Sequence, residues 1–308
     1  MARRKPQRKK KPVRKRPVKT GPGPTMRLIR RIPPRAVIHA AIIILVAGFA
    51  AMGLATVDRY VKSLDDFRVR RLRLVDLPGW CPPEVVDHLE ELPEDFGNNR
   101  IHEPQLVEHI AARYRRDPWV RKVRYVRADF PDTVSVSLDL RRPAYAVEKA
   151  GSYVLVDREG VVLPAQYARW SQTANPLKFV WGVRSDPPSA AGRRWRDPAL
   201  QGGIETLEVI AGRPSLAKQL GITGADVSNF GGVIDTTASD VDIIADGDCT
   251  ILWGRPPSTK RFGEVPAGKK LDYLEKVLET YPDPKGMEIN ARFADAGGGI
   301  VMTSRQNR

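Results

Sequence analysis

Residues 117–145 read DPWVRKVRYVRADFPDTVSVSLDLRRPAY, and within them TVSVSLDL (133–140) alternates without a slip. A period of two is the mark of a strand that turns one side toward a core. Val134, Val136, Leu138 and Leu140 fall on that side, and Thr133, Ser135, Ser137 and Asp139 on the other, which the pattern predicts to be wet. The basic segment VRKVRYVR (120–127) precedes it across the turn ADFPD (128–132), so the stretch predicts a hairpin. Its chemistry is compatible with an active site, a nucleic-acid surface or a docking module. The rest of the chain decides between them.

Upstream, FRVRRLRLVDL (67–77) has apolar residues at 67, 69, 72 and 74, strand-like with one slip that a bulge would explain. PPEVVDHLEEL (82–92) puts Pro83 at a first helical turn and Val85, Val86, Leu89 and Leu92 at helical spacing. After the turn FGNN (96–99), Leu106, Val107, Ile110, Ala111 and Tyr114 form a second helical stripe. The order strand, helix, helix, strand, strand can close a small two-layer core and leave sheet edges open to partners. We place this domain at 66–148.

Downstream, YVLVDREGVVLP (153–164) reads as two strands about an Asp-Arg-Glu-Gly turn. LKFVWGV (177–183) is apolar, 184–198 reads as a loop, and ALQGGIETLEVIAG (199–212) as a helix. GITGADVSNF (221–230), VDIIAD (241–246) and CTILWG (249–254) predict strands, KKLDYLEKVLETYP (269–282) a helix, and GMEINARF (286–293) and GGGIVMTS (297–304) two final strands. The result is a mixed, strand-dominated second domain at 150–308, and the external part as a whole is of the α+β class.

The chain has 308 residues and a formal net charge of +15, but residues 1–35 hold fifteen Lys and Arg and no acid. The remainder therefore carries 36 basic and 36 acidic residues. A segment so charged and so rich in proline cannot bury enough apolar surface to fold, so 1–35 is expected to be a disordered tail. It is followed by AVIHAAIIILVAGFAAMGLATV (36–57), which has no charge. These residues would reach about 33 Å as a helix, matching a hydrocarbon core of about 30 Å. The run is longer than the apolar part of a signal peptide, and AMG is a poor cleavage site. Arg27, Arg30, Arg31 and Arg35 on one flank and Asp58 on the other predict a single-pass anchor with a cytoplasmic N-terminus and 58–308 outside. Cys81 and Cys249 are too far apart in sequence for a pairing to be inferred.

PWVRKVRYVRADFPDTVSVSLDLRRPAYAV (118–147) followed by YVLVDREGVVLP resembles the FtsQ/DivIB family of bacterial division proteins. Pro118, Trp119, Val120, Val123, Arg127, Pro131, Thr133, Val134, Val136, Arg142, Pro143 and Ala146 fit that family's first motif, and Asp157, Gly160 and Val161 its sequel. Gly254, Lys270, Leu271, Leu274, Ile289, Arg292 and Phe293 fit later elements. The chain departs from the family at Leu140, in a position where Glu is common, at INAR (289–292) in place of IDLR, and in having no aromatic after Phe293.

The resemblance implies a single transmembrane helix, a POTRA domain of β-α-α-β-β order and a β domain. It further implies a non-enzymatic scaffold in the cytoplasmic (inner) membrane at the division site, with extracytoplasmic domains. Partners would be FtsB/DivIC-like and FtsL-like membrane-anchored coiled-coil proteins and other divisome proteins, without cofactor or metal. Their contact would be strand addition at an edge. The expected partner-binding residues are Phe293, Ile300, Val301, Met302 and Thr303.

A membrane-anchored extracytoplasmic enzyme of cell-wall metabolism is the rival class. GEVPAGKK (263–270) nearly matches a phosphate loop, but Lys270 stands where Ser or Thr is required. SLAK (215–218) matches S-x-x-K, although no S-D-N follows and the sole KTG (19–21) lies in the tail. In HEPQLVEH, His102, Glu103, Glu108 and His109 lack the H-E-x-x-H spacing and a third ligand. No residue is therefore assigned as catalytic or metal-binding. Nucleic acid is not expected as a partner, since the basic hairpin has few aromatic residues for stacking and lies outside the membrane. An outer-membrane assembly protein would need a barrel or tandem POTRA units, for which the chain is too short.

Overall fold

The computed structural model describes residues 34–64, 67–92, 96, 99–166, 177–259, 262–294 and 300–304. The basic tail expected at 1–35 lies, apart from its last two residues, outside them. Helix α1 (Pro34–Ser63) contains the apolar run, and Val37–Tyr60 is long and apolar enough to cross a membrane. Thr56 turns its hydroxyl back to the Met52 carbonyl at 2.8 Å, satisfying a polar group that the span would otherwise expose.

Residues 66–308 form a separate compact unit with two sheets. The smaller contains β1 (Arg71–Val75), then, after α2 (Pro83–Glu90) and α3 (Leu106–Tyr114), β2 (Val120–Asp129) and β3 (Thr133–Leu140). Its order is β1-β3-β2, with β1 parallel and β2 antiparallel to the central strand. The quoted hairpin thus supplies the middle of the sheet. Its expected wet face is not wet: Ser135 and Ser137 are buried. Each is a small residue flanked by longer ones, Arg73 and Arg127 beside Ser135 and Val75 and Tyr125 beside Ser137. Their hydroxyls donate to Asp129 (2.5 Å) and Asp76 (3.1 Å).

The larger sheet begins with β4 (Tyr145–Lys149), directly after Pro143, and continues through β5 (Ser152–Val156), β6 (Val162–Gln166) and β7 (Lys178–Trp181). Helices α4 (Pro198–Ala211) and α5 (Pro214–Leu220) lead to β8 (Ile222–Asp226), β9 (Val241–Ala245) and β10 (Cys249–Gly254). Helix α6 (Ala267–Thr280), β11 (Met287–Ala294) and β12 (Ile300–Ser304) follow. Nine strands run in the order β12-β11-β10-β9-β8-β7-β4-β5-β6.

One core lies between this sheet and α4, α5 and α6, and includes Trp195, Trp253, Leu200, Ile251 and Leu274. A second core joins Leu89, Ile110, Tyr114, Val134 and Val136 of the small sheet and its helices to Ala146, Leu155, Leu163 and Leu177 of the large one. Successive residues of β4 therefore point into different cores: Tyr145 and Val147 into the first, Ala146 into the second. A strand covered on both faces has little polar alternation to read.

Candidate docking edge

The two sheets have four edge strands, and they differ in how they are protected. An edge presents unpaired N–H and C=O groups that another chain can use, and proteins blunt such edges with cover, charge or bulges. The chain leading into β1 is met by an isolated bridge between Arg68 and Arg100 and by the Val69 N–H donating to the Asn99 carbonyl at 3.0 Å. β6 is met by residues 192–195. The Val162 N–H donates to Arg193 at 3.0 Å, Gly192 donates to Val162 at 2.7 Å, and Val161 bridges Arg194. β2 carries exposed Arg121, Lys122, Arg124 and Arg127, and its pairing with β3 shifts register twice. β12 reads IVMTS and contains no charge. Among the described residues it has a strand on one side only, β11, which it meets antiparallel from Met287↔Ser304 to Ala294↔Ile300.

The residues expected to bind a partner are thus placed together. Ile300, Val301, Met302 and Thr303 lie on β12, and Phe293 lies on β11 where the register breaks between Asn290 and Ala294. Phe293 is 40% exposed and Thr303 is exposed. The break is held open from both sides. Arg292 accepts from the Val265 N–H through its carbonyl (2.9 Å) and donates through its guanidinium to the Thr237 carbonyl (2.6 Å). The Arg292 guanidinium also stands 5.5 Å from the Phe293 ring centroid.

The motif residues that carry the family resemblance hold structure. Asp157 accepts from the N–H groups of Glu159 (2.9 Å) and Val161 (2.8 Å), closing the turn that Gly160 completes at φ +73. Its other oxygen accepts from Arg141 at 2.6 Å, and Arg141 also reaches Glu159 at 2.8 Å. Arg121 of β2 meets the same Glu159 at 2.5 Å, so this cluster ties the small sheet to the large one. Lys270, placed at the phosphate-loop position, is buried with its ammonium 2.6 Å from Glu264, 2.5 Å from the Trp253 carbonyl and over the Trp253 ring. Burial lowers its pKa and the Glu264 carboxylate opposes that shift. Such a lysine is committed to the fold and has no reach toward a phosphate.

Ser215 and Lys218 are exposed on the short helix α5. Glu108 pairs with Arg115 at 2.7 Å, an exposed pair that holds the Glu108 carboxyl below its ordinary range. Among the described residues no three His, Cys, Asp or Glu side chains converge as a metal site. Cys81 and Cys249 are both free thiols, and burial pushes Cys249 up to about 11.

A candidate membrane helix, a β-α-α-β-β lobe of POTRA type and a strand-rich lobe ending in an uncharged edge define a class of α+β membrane-anchored proteins. Comparison with curated proteins finds cell-division proteins FtsQ. That of Anaeromyxobacter sp. (strain K) is 28% identical over 264 residues, covering 83% of this chain and 80% of the relative. Those of Neisseria meningitidis serogroup B and Neisseria gonorrhoeae are each 48% identical over 56 residues, covering 18% of this chain and 22% of each relative. No family model matches. The chain is thus similar to cell-division proteins FtsQ over most of its length.

Proposed function

We propose that this chain is a non-enzymatic scaffold of the bacterial divisome, anchored in the cytoplasmic membrane by α1 with 58–308 outside. It recruits FtsB/DivIC-like and FtsL-like partners by accepting a strand at β12. The observation that carries this reading is the contrast between edges among the described residues: the chain entering β1 and the start of β6 are met by other backbone, β2 is charged and bulged, and β12 has no charge and no such backbone beside it. In an antiparallel edge strand, outward N–H and C=O groups alternate with those bonded to the neighbour, so a partner strand can pair by backbone alone. Phe293, standing at the register break, offers that strand an apolar side chain. Residues 66–148 form the docking module nearest the membrane and 150–308 the partner-binding one.

A fluorescent fusion of the full chain, imaged in dividing cells of its own host, tests the reading. We expect a band at the constriction that is lost when 58–308 is removed. An even envelope signal in constricting cells would overturn the scaffold reading. A Ser215→Ala variant is expected to complement as the unaltered chain does.

A further inference from the structure

A cavity of about 720 Å³ opens where the two sheets join, between the β3–β4 link, the turn before β6, the start of β7 and the corner of α4 and α5. Its size lies in the range of small-molecule sites, which favour such junctions. Buried Leu140, Leu177, Leu207 and Ile222 give it an apolar wall. The cationic side chains on its lining are Arg121, Arg141, Arg142, Arg158 and Lys178. Its carboxylates are Asp157, Glu159 and Glu208.

Each of these carboxylates is already engaged. Asp157 and Glu159 both hold Arg141, and Glu159 also holds Arg121. Glu208 meets Arg158 at 3.3 Å and accepts from the Tyr145 hydroxyl. Arg142 and Lys178 are left over. The Arg142 guanidinium is exposed and stands 5.8 Å from the Trp80 ring centroid. The half-buried Lys178 ammonium donates to the Ile222 carbonyl. Among the described residues neither has a carboxylate within ion-pairing distance. Burial pushes the Lys178 pKa down, and the Asp246 carboxylate, farther off, opposes that shift. An ammonium has three donors, so the one carbonyl leaves two for a ligand. Lys178 pairs in register with Tyr145, three residues after Arg142. Three residues of extended chain measure about 10 Å, a gap that two long side chains can close on one carboxylate.

We propose that this cavity binds a small organic anion, a carboxylate on an apolar body. The carboxylate sits between Lys178 and Arg142 and the body lies against Leu140, Leu177 and Leu207. A charge taken out of water is costly unless it is paired, and such a ligand supplies the missing counter-charge to Lys178. The bounded volume and the apolar wall favour a small ligand over a docked chain. Binding would brace the β3–β4 link against β7, and it is independent of strand addition at β12.

The test is equilibrium dialysis of the full chain in lipid nanodiscs, with uptake by empty discs subtracted. The probes are naphthylacetate and its uncharged amide. We expect saturable uptake of the acid, with the amide roughly tenfold weaker. Lys178→Met and Arg142→Gln should each lower affinity for the acid several-fold. Lys276→Gln, at an exposed position of α6 outside the cavity, should leave it unchanged. Arg142 is exposed, so Arg142→Gln carries the test if Lys178→Met fails to fold. Equal uptake of acid and amide, or an affinity that both cavity variants leave unaltered, would overturn the proposal. Uptake of the tripeptide acetyl-Leu-Glu-Leu-amide that depends on Lys178, with none of naphthylacetate, would overturn it in favour of peptide docking.

Discussion

Asp242, on β9, has one carboxylate oxygen buried without a partner, and burial pushes its pKa up to about 6. Ser239 hydrogen-bonds to it and Arg292 favours its charge, while Asp226 and Glu288 oppose it. The folded protein therefore holds this proton more tightly than the unfolded chain does. The stability it contributes is complete below its ordinary value of 3.8 and is lost as pH rises through about 6. Replacing it by Asn should raise stability at pH 7.5 by about 2 kcal/mol and flatten the pH dependence of Tm between those values. Differential scanning fluorimetry across pH 4–8 reads both effects. Lys270 makes the opposite case. Lys270→Ala leaves the buried Glu264 carboxylate without its counter-charge, with the Arg255 N–H still donating to it, and should lower stability by about 3 kcal/mol in chemical denaturation.

At this scale identities are legible in the sequence and roles are not. Asp157, Gly160, Gly254 and Lys270 were legible as family positions, but their contacts were not. A Cβ at Gly254 would lie 2.3 Å from the Glu264 carboxylate, a conflict created by residues ten apart in the chain that periodicity does not register.

The elements were easier to read where one face is wet. β1, β8, β9, β10 and β12 and the amphipathic helices α2 and α3 fall within the stretches whose patterns predicted them, and β5, β6, β11 and α6 overlap theirs to within one or two residues. β4 passed unread because Ala146 and its neighbours are buried on both faces. α5 passed unread because seven residues give too few turns for a stripe to show. β3 was read correctly as a strand and incorrectly as half-wet, since its central position comes from pairing with β1, some sixty residues earlier. The edge status of β12 was legible as an expectation from the resemblance, and the covering of the rival edges came only with the fold. Two variants test that edge. Thr303→Lys adds a charge at an exposed position and should weaken partner capture several-fold with Tm unchanged. Val301→Pro should abolish capture, and a folded Val301→Pro chain that still binds would contradict strand addition.

At the scale of the molecule, 66–308 is held as one compact unit because the small sheet and the back of β4, β5 and β6 share a core and the Arg141–Asp157 cluster crosses between them. That contact resembles a domain interior more than a hinge, so the two lobes should unfold together. Full-length protein in detergent should give one denaturant midpoint by both circular dichroism and tryptophan fluorescence, and Arg141→Ala should shift both signals alike. Two separate transitions would show lobes that fold independently. The strand order of the large sheet was beyond the sequence, because β7, β4 and β8 pair in parallel across long connections.

The central claim is that a partner's strand adds to β12. Hydrogen–deuterium exchange of the full chain, alone and co-purified with its host's FtsB- and FtsL-type proteins, measures this at the backbone amides themselves. The account predicts new protection at 300–304 on complex formation, with the amides of β2 and β6 unchanged. A stable complex that leaves 300–304 exchanging as in the free chain would contradict it.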